Sequence, residues 1–70
     1  MLVQAILFDK NKWNPTEARH WLKKHKYVPI KYVDKTQNQI RYRIRDPAEF
    51  SSFVTKSYPD RGINIIFGIN

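Results

Sequence analysis

Seventy residues hold 13 Lys and Arg against six Asp and Glu, a formal charge of +7, and no cysteine. The missing thiols exclude disulfide staples, thiolate metal sites and cysteine nucleophiles, and the length allows one core and one domain over residues 1–70. A chain this short buries only about 60% of its unfolded surface, so a homodimer is open as a source of added stability. The basic excess points to a polyanionic partner.

The opening "MLVQAILF" is apolar but has no basic start and is too short for a membrane span. Leu2 to Phe8 therefore reads as a buried strand, central in its sheet, of a protein that is not secreted. "DKNKW" then turns the chain toward a helix in "WNPTEARHWLKKHK". Asn14 is a candidate N-cap, Pro15 suits the first helical position, and Glu17 completes a capping box. Trp13 is placed to staple against Ala18. Ala18, Trp21, Leu22 and His25 follow the i, i+3, i+4, i+7 spacing of a buried face. Lys23, Lys24 and Lys26 crowd the last turn, where the helix dipole favours cations.

"KYVPIKYVDK" and "QIRYRIRD", separated by "TQN", read as a β-hairpin, with Asn38 suited to a left-handed turn. Pro29 cannot donate to a ladder, which makes the first of these an edge strand. Val28, Ile30 and Tyr32 share its core parity, and Lys31 its outer one. In the second strand Ile40, Tyr42 and Ile44 occupy one parity and Arg41, Arg43 and Arg45 the other. A strand sends successive side chains to opposite faces, so an apolar stripe backs a row of three guanidiniums.

A second helix is expected from the same punctuation as the first: Asp46 caps, Pro47 opens, Glu49 sits three on, and Phe50, Phe53 and Val54 form a short inward face. "SYPDRG" breaks it, and Gly62 leads into a last strand, "INIIFGIN". The expected fold class is α+β, in the order β-α-β-β-α-β. This is the ferredoxin-like (split β-α-β) arrangement, a four-stranded antiparallel sheet with two helices on one face. The first and last strands would form its central pair.

That arrangement leaves one sheet face uncovered, and Arg41, Arg43, Arg45 and Lys31 fall on it. Same-face residues stand about 6.6 Å apart at roughly 3.3 Å per residue, similar to the phosphate repeat of an extended backbone. Arginine grips phosphate bidentately and stacks on bases. Solubility alone would be served with less repulsion by a mixture of Lys and Glu. Strand one adds either Gln4, Ile6 and Phe8 or Val3, Ala5 and Leu7 to the same side. An exposed Phe8 would offer a stacking platform. The aromatic signature of sheet-based RNA readers is absent, so sequence-specific RNA reading is not expected and DNA stands ahead of RNA. A second basic surface, Arg19, Lys23 and Lys26, follows one stripe of the helix.

Catalysis finds little support. His20 and His25 are five apart, the wrong spacing for a shared metal on one helical face. Glu17, Asp46 and Glu49 are taken by caps, Asp34 and Asp60 by turns, and Ser51, Ser52 and Ser57 have no evident base. No glycine loop cradles phosphate. The reading is a non-enzyme with no cofactor and no metal. The alternative to nucleic acid is a protein-interaction module. Membrane binding ranks last for want of exposed apolar residues.

"FDKNKWNPTEARHWLKKHKY", "RYRIRDPAEF" and "GINIIFG" together resemble a small domain encoded by tailed phages and large DNA viruses. The resemblance rests on Trp13, Ala18, Trp21 and Leu22 in the helix, Arg43 and Arg45 in the arginine strand, and the closing Gly62 and Ile63. It covers nearly the whole chain. It implies a setting near head-maturation proteins, with no settled activity, and a virion component that contacts packaged DNA or other capsid or head proteins. The location it implies is the virion or the interior of the infected cell, cytoplasm or nucleus. Arg41 and the high charge depart from that pattern and add to the nucleic-acid reading.

Overall fold

The computed structural model describes residues 1–30, 34–35 and 37–70. Its elements are β1 (Leu2–Asp9), α1 (Pro15–Lys24), β2 (Asp34–Lys35), β3 (Gln39–Arg43), a 3-10 turn (Pro47–Glu49), β4 (Ser52–Tyr58) and β5 (Ile63–Ile69). The strands form one antiparallel sheet in the order β2-β3-β1-β5-β4. Four long strands make the body of the sheet, and the two-residue β2 extends one edge. The class is α+β, and the first and last strands lie side by side in the middle, as their apolar sequences require. Among the described residues no helix is long and apolar enough to cross a membrane.

The first helix starts as its sequence dictates. Asn14 Oδ1 accepts from the Glu17 N–H at 2.8 Å, and Glu17 Oε1 accepts from the Asn14 N–H at 3.3 Å. Two backbone donors that the helix cannot satisfy internally are thereby paired. At the other end Lys26 takes φ 64°. The Tyr27 N–H reaches the Leu22 carbonyl at 2.9 Å and the Lys26 N–H the Lys23 carbonyl at 3.1 Å. That is a Schellman closure, made with lysine where glycine is usual. The helix buries Ala18 and Leu22 against Ile6, Phe8, Ile40, Tyr42 and Ile63 of the sheet. His25, expected on the buried face, is exposed and caps the helix instead. Its ring stacks on Trp21 at 4.0 Å.

The second helix is not formed. Asp46 does cap: its Oδ1 accepts from the Ala48 N–H at 2.9 Å, and Glu49 Oε2 accepts from the Asp46 N–H at 3.2 Å. The capped segment is one 3-10 turn, and the residues read as its inward face go elsewhere. Phe53 and Val54 lie in β4, paired with Gly68 and Phe67 of β5. "SFVTKSY" is rich in β-branched and aromatic residues, which favour the pleated chain over the helix. The β-α-β-β-α-β order and the ferredoxin-like topology are thus replaced by one helix and a strand-rich second half. In "SYPDRG", Ser57 and Tyr58 end β4 and the four residues after them form a hairpin turn rather than a helix end. Gly62 takes φ +67° there, and its N–H bonds the Pro59 carbonyl at 3.2 Å.

Of the expected edge strand "KYVPIKYVDK", the described residues show Asp34–Lys35 as strand, and upstream a bond from the Ile30 N–H to the Arg43 carbonyl at 2.9 Å. Val28 and Ile30, read as core, are 77% and 50% exposed, as are Met1 and Leu2 at 76% and 48%. The surface therefore does carry apolar side chains, contrary to the ground on which membrane binding was ranked last. Lys31 and Tyr32 lie outside the described residues.

Candidate nucleic-acid interface

Strand parity in β3 places the arginines. Ile40 and Tyr42 are 2% and 1% exposed in the core beneath the helix. Alternation therefore turns Arg41 and Arg43 to the face that α1 does not cover. Both are half-buried, as is usual for a long cationic side chain on apolar surface.

In β1 the two candidate parities are both realised, on either side of a bulge. The register to β5 pairs Val3 with Phe67 but Ala5 with Ile66, leaving Gln4 as the extra residue. A bulge of this kind shifts the alternation by one. Beyond it Ile6 and Phe8 face the helix, and Ala5 and Leu7 face the arginines. Phe8 is fully buried, edge-on to Trp13, Trp21 and Tyr42 at 5.1, 5.7 and 5.7 Å. It is core, not a stacking platform. Gln4, 1% exposed, is held by its Nε2 donating to the Arg45 carbonyl at 2.9 Å.

Two cross-strand rows follow from the registers. Arg41, Leu7, Asn64 and Ser57 form one; Arg43, Ala5, Ile66 and Thr55 form the next. Beyond them Phe53 pairs with Gly68, and the ring of Phe50 lies where a side chain at Gly68 would stand. The two phenylalanine rings meet edge-to-face at 6.1 Å. A hollow of about 260 Å³ on this face is lined by Gln4, Arg41, Pro47, Phe53, Thr55 and Ile66. Arg41 Nε is buried with no hydrogen-bond partner among the described residues. Across the ladder on the β2 side, Arg41 stands opposite Asp34.

Arg45 leaves the row. The Ile44 and Arg45 N–H groups both converge on the Gln4 carbonyl, at 2.8 and 3.1 Å, which turns the chain off the ladder. Arg45 Nη1 meets Glu49 Oε1 at 3.4 Å, with both side chains nearly half exposed. Such a surface pair is worth about 0–1 kcal/mol. The expected row of three is a row of two, Arg41 and Arg43.

Arg19 and Lys23 are exposed on α1, across the sheet from the arginine face. Lys26 is exposed as well, but it lies beyond the His25 cap in the left-handed conformation and so leaves their stripe. The structure therefore brings Arg41 and Arg43 together and separates them from Arg19, Lys23 and Lys26. Phe53, 47% exposed beside Arg41's hollow, was assigned by sequence to a helix. The β-branched and aromatic content of "SFVTKSY" was the signal that could have found it. Among the described residues no three His, Asp or Glu side chains gather as a metal would need.

Comparison of the chain with protein-family models, with curated proteins and with solved structures finds no match.

Proposed function

We propose that this chain is a small basic nucleic-acid-binding protein, viral in origin and acting in the virion or the infected cell, that holds phosphates without reading bases. DNA stands ahead of RNA. The observation that carries the reading is the pair Arg41 and Arg43, side by side on the sheet face that the helix leaves open. The net charge of +7 supports it, since a basic surface raises both encounter rate and affinity for a polyanion. Arg45, two residues further along the chain, and Lys31, from the preceding segment, are proposed as additional contacts. Arg19, Lys23 and Lys26 would serve as secondary contacts on the far side, so that one domain bridges two segments.

The salt dependence of affinity tests it. Each phosphate neutralised on duplex DNA contributes about −0.9 to the slope of log affinity against log salt. Replacing Arg41 and Arg43 by Gln should make that slope shallower by about two, with the circular-dichroism spectrum unchanged. An identical slope in the double variant would dismiss the arginine face.

A second reading is favoured by β4. It is the last strand of the sheet, every one of its residues is exposed, and Phe53, Val54 and Tyr58 are 47%, 43% and 40% accessible. An edge of this kind takes an added strand from a partner, as a capsid or head-assembly module would.

A further inference from the structure

The helix covers only part of its side of the sheet. Between the end of α1 and β4 lies a hollow of about 280 Å³ lined by Trp21, His25, Tyr27, Tyr58, Arg61, Ile63 and Ile65. Ile63 and Ile65 are its floor. Trp21 stands nearly parallel to both His25 and Tyr27, at 25° and 12°, so the wall on the helix side is a set of near-parallel rings, with His25 stacked against Trp21. Tyr58, 40% exposed, forms the opposite wall. The arginine face does not use any of these residues.

We propose that this hollow takes an unpaired base of a single-stranded nucleic acid, stacked among Trp21, Tyr27 and Tyr58, with Arg61 toward the adjoining phosphate. The assignment rests on the nucleic-acid reading and deepens it by naming the form of the polymer. Four considerations select this occupant. Near-parallel rings beside an aliphatic floor suit a planar aromatic ligand, because stacking parallel to those rings and area burial act together. The charge around the hollow is positive: Arg61 lines it, and Lys56 projects from the same face of β4, across from Ile65. Those cations repel an ammonium ligand, which an aromatic cage would otherwise attract, and favour an anionic one. The volume falls just below the roughly 300–1,000 Å³ of pockets for whole drug-sized ligands, the scale of a single inserted ring. A paired base, lastly, hides its faces in the duplex stack, whereas a single strand presents them.

The rim is fixed before any ligand arrives. Trp13 Nε1 donates to the Arg61 carbonyl at 2.7 Å, and Lys12 Nζ donates to the Pro59 and Asp60 carbonyls at 3.1 and 3.2 Å. The β1–α1 loop thereby clamps the β4–β5 turn that carries Arg61, which lowers the ordering cost of binding.

The test is a fluorescence titration of the full chain with an oligothymidylate of about twelve nucleotides, within single-strand site sizes, and with a duplex of equal length. Tyr58→Thr keeps a strand-forming residue on an exposed edge, and Tyr27→Leu is the second variant. Each should weaken oligothymidylate binding about ten-fold and leave duplex affinity and the salt slope unchanged, with Tyr58→Trp restoring the loss. Tryptophan emission should be quenched by the single strand and not by the duplex. Oligothymidylate binding equal to wild type in both variants would overturn the stacking site, while the Arg41 and Arg43 variants still report on the phosphate reading. Absence of binding to either polymer at low salt would overturn both.

Discussion

Tyr42 is the largest fully buried side chain among the described residues, and it bears a hydroxyl. That hydroxyl donates to the Pro15 carbonyl at 3.3 Å, tying β3 to the first turn of the helix. Burial raises the phenol above the ordinary tyrosine value of about 10, against a smaller opposing effect from the Arg19 charge. The native state then holds the phenolic proton more tightly than the unfolded chain does, so its contribution is intact below the ordinary value. It is lost as pH rises from there through the raised value. Tyr42→Phe should cost about 0.5–1.5 kcal/mol near neutrality for one hydrogen bond. It should also lose stability less steeply than wild type above about pH 10, as measured by urea unfolding at the two pH values. Parallel pH profiles would show that the buried phenol is not the alkaline weak point. The core role of Tyr42 was legible, since alternation with the arginines left it only one face. The fate of Phe8 was not. A bulge at Gln4 reverses the alternation within one strand, and no single-strand pattern announces where a partner's register will slip.

At the scale of elements, local signals were legible where a local interaction decides the outcome. The capping box of α1 involves residues three apart, and it forms as written. The same signature at Asp46 also forms, yet it does not extend into a helix. A cap pairs terminal donors but supplies no propagation, and "SFVTKSY" gains more by completing the open edge of β5 than by continuing as helix. The link between β3 and β4 is held by packing that sequence spacing cannot reveal: Phe50 sits over Gly68, where a Cβ would collide with its ring. Gly68→Ala should therefore destabilise by about 1–3 kcal/mol through overpacking. Phe50→Ala made together with it should recover part of that loss, giving a coupling energy of about 0.5–3 kcal/mol of the recovering sign in a double-mutant cycle. Additive effects would mean that the ring does not seat on the glycine, and that the link is held by its capped turn alone.

For the whole molecule, a charge of +7 was plain from composition, but its placement was not. The sheet separates the Arg41 and Arg43 pair from Arg19 and Lys23 on the helix, and the chain's turn at Gln4 sends Arg45 toward Glu49. The same charge acts with opposite sign on the two functional readings, which makes salt the natural variable. Phosphate binding releases counterions and weakens as salt rises, steeply between about 50 and 200 mM. Addition of a second copy along β4 brings two +7 bodies together, so it strengthens as salt screens their repulsion. Sedimentation over that range should therefore show the 8.4 kDa monomer throughout, with its complex with nucleic acid dissolving as salt is raised. The opposite trend, a mass that climbs toward the dimer with salt, would assign β4 to self-pairing. Val54→Lys, which adds a charge to the exposed edge, should abolish that climb and leave phosphate contacts on the other side of the sheet untouched.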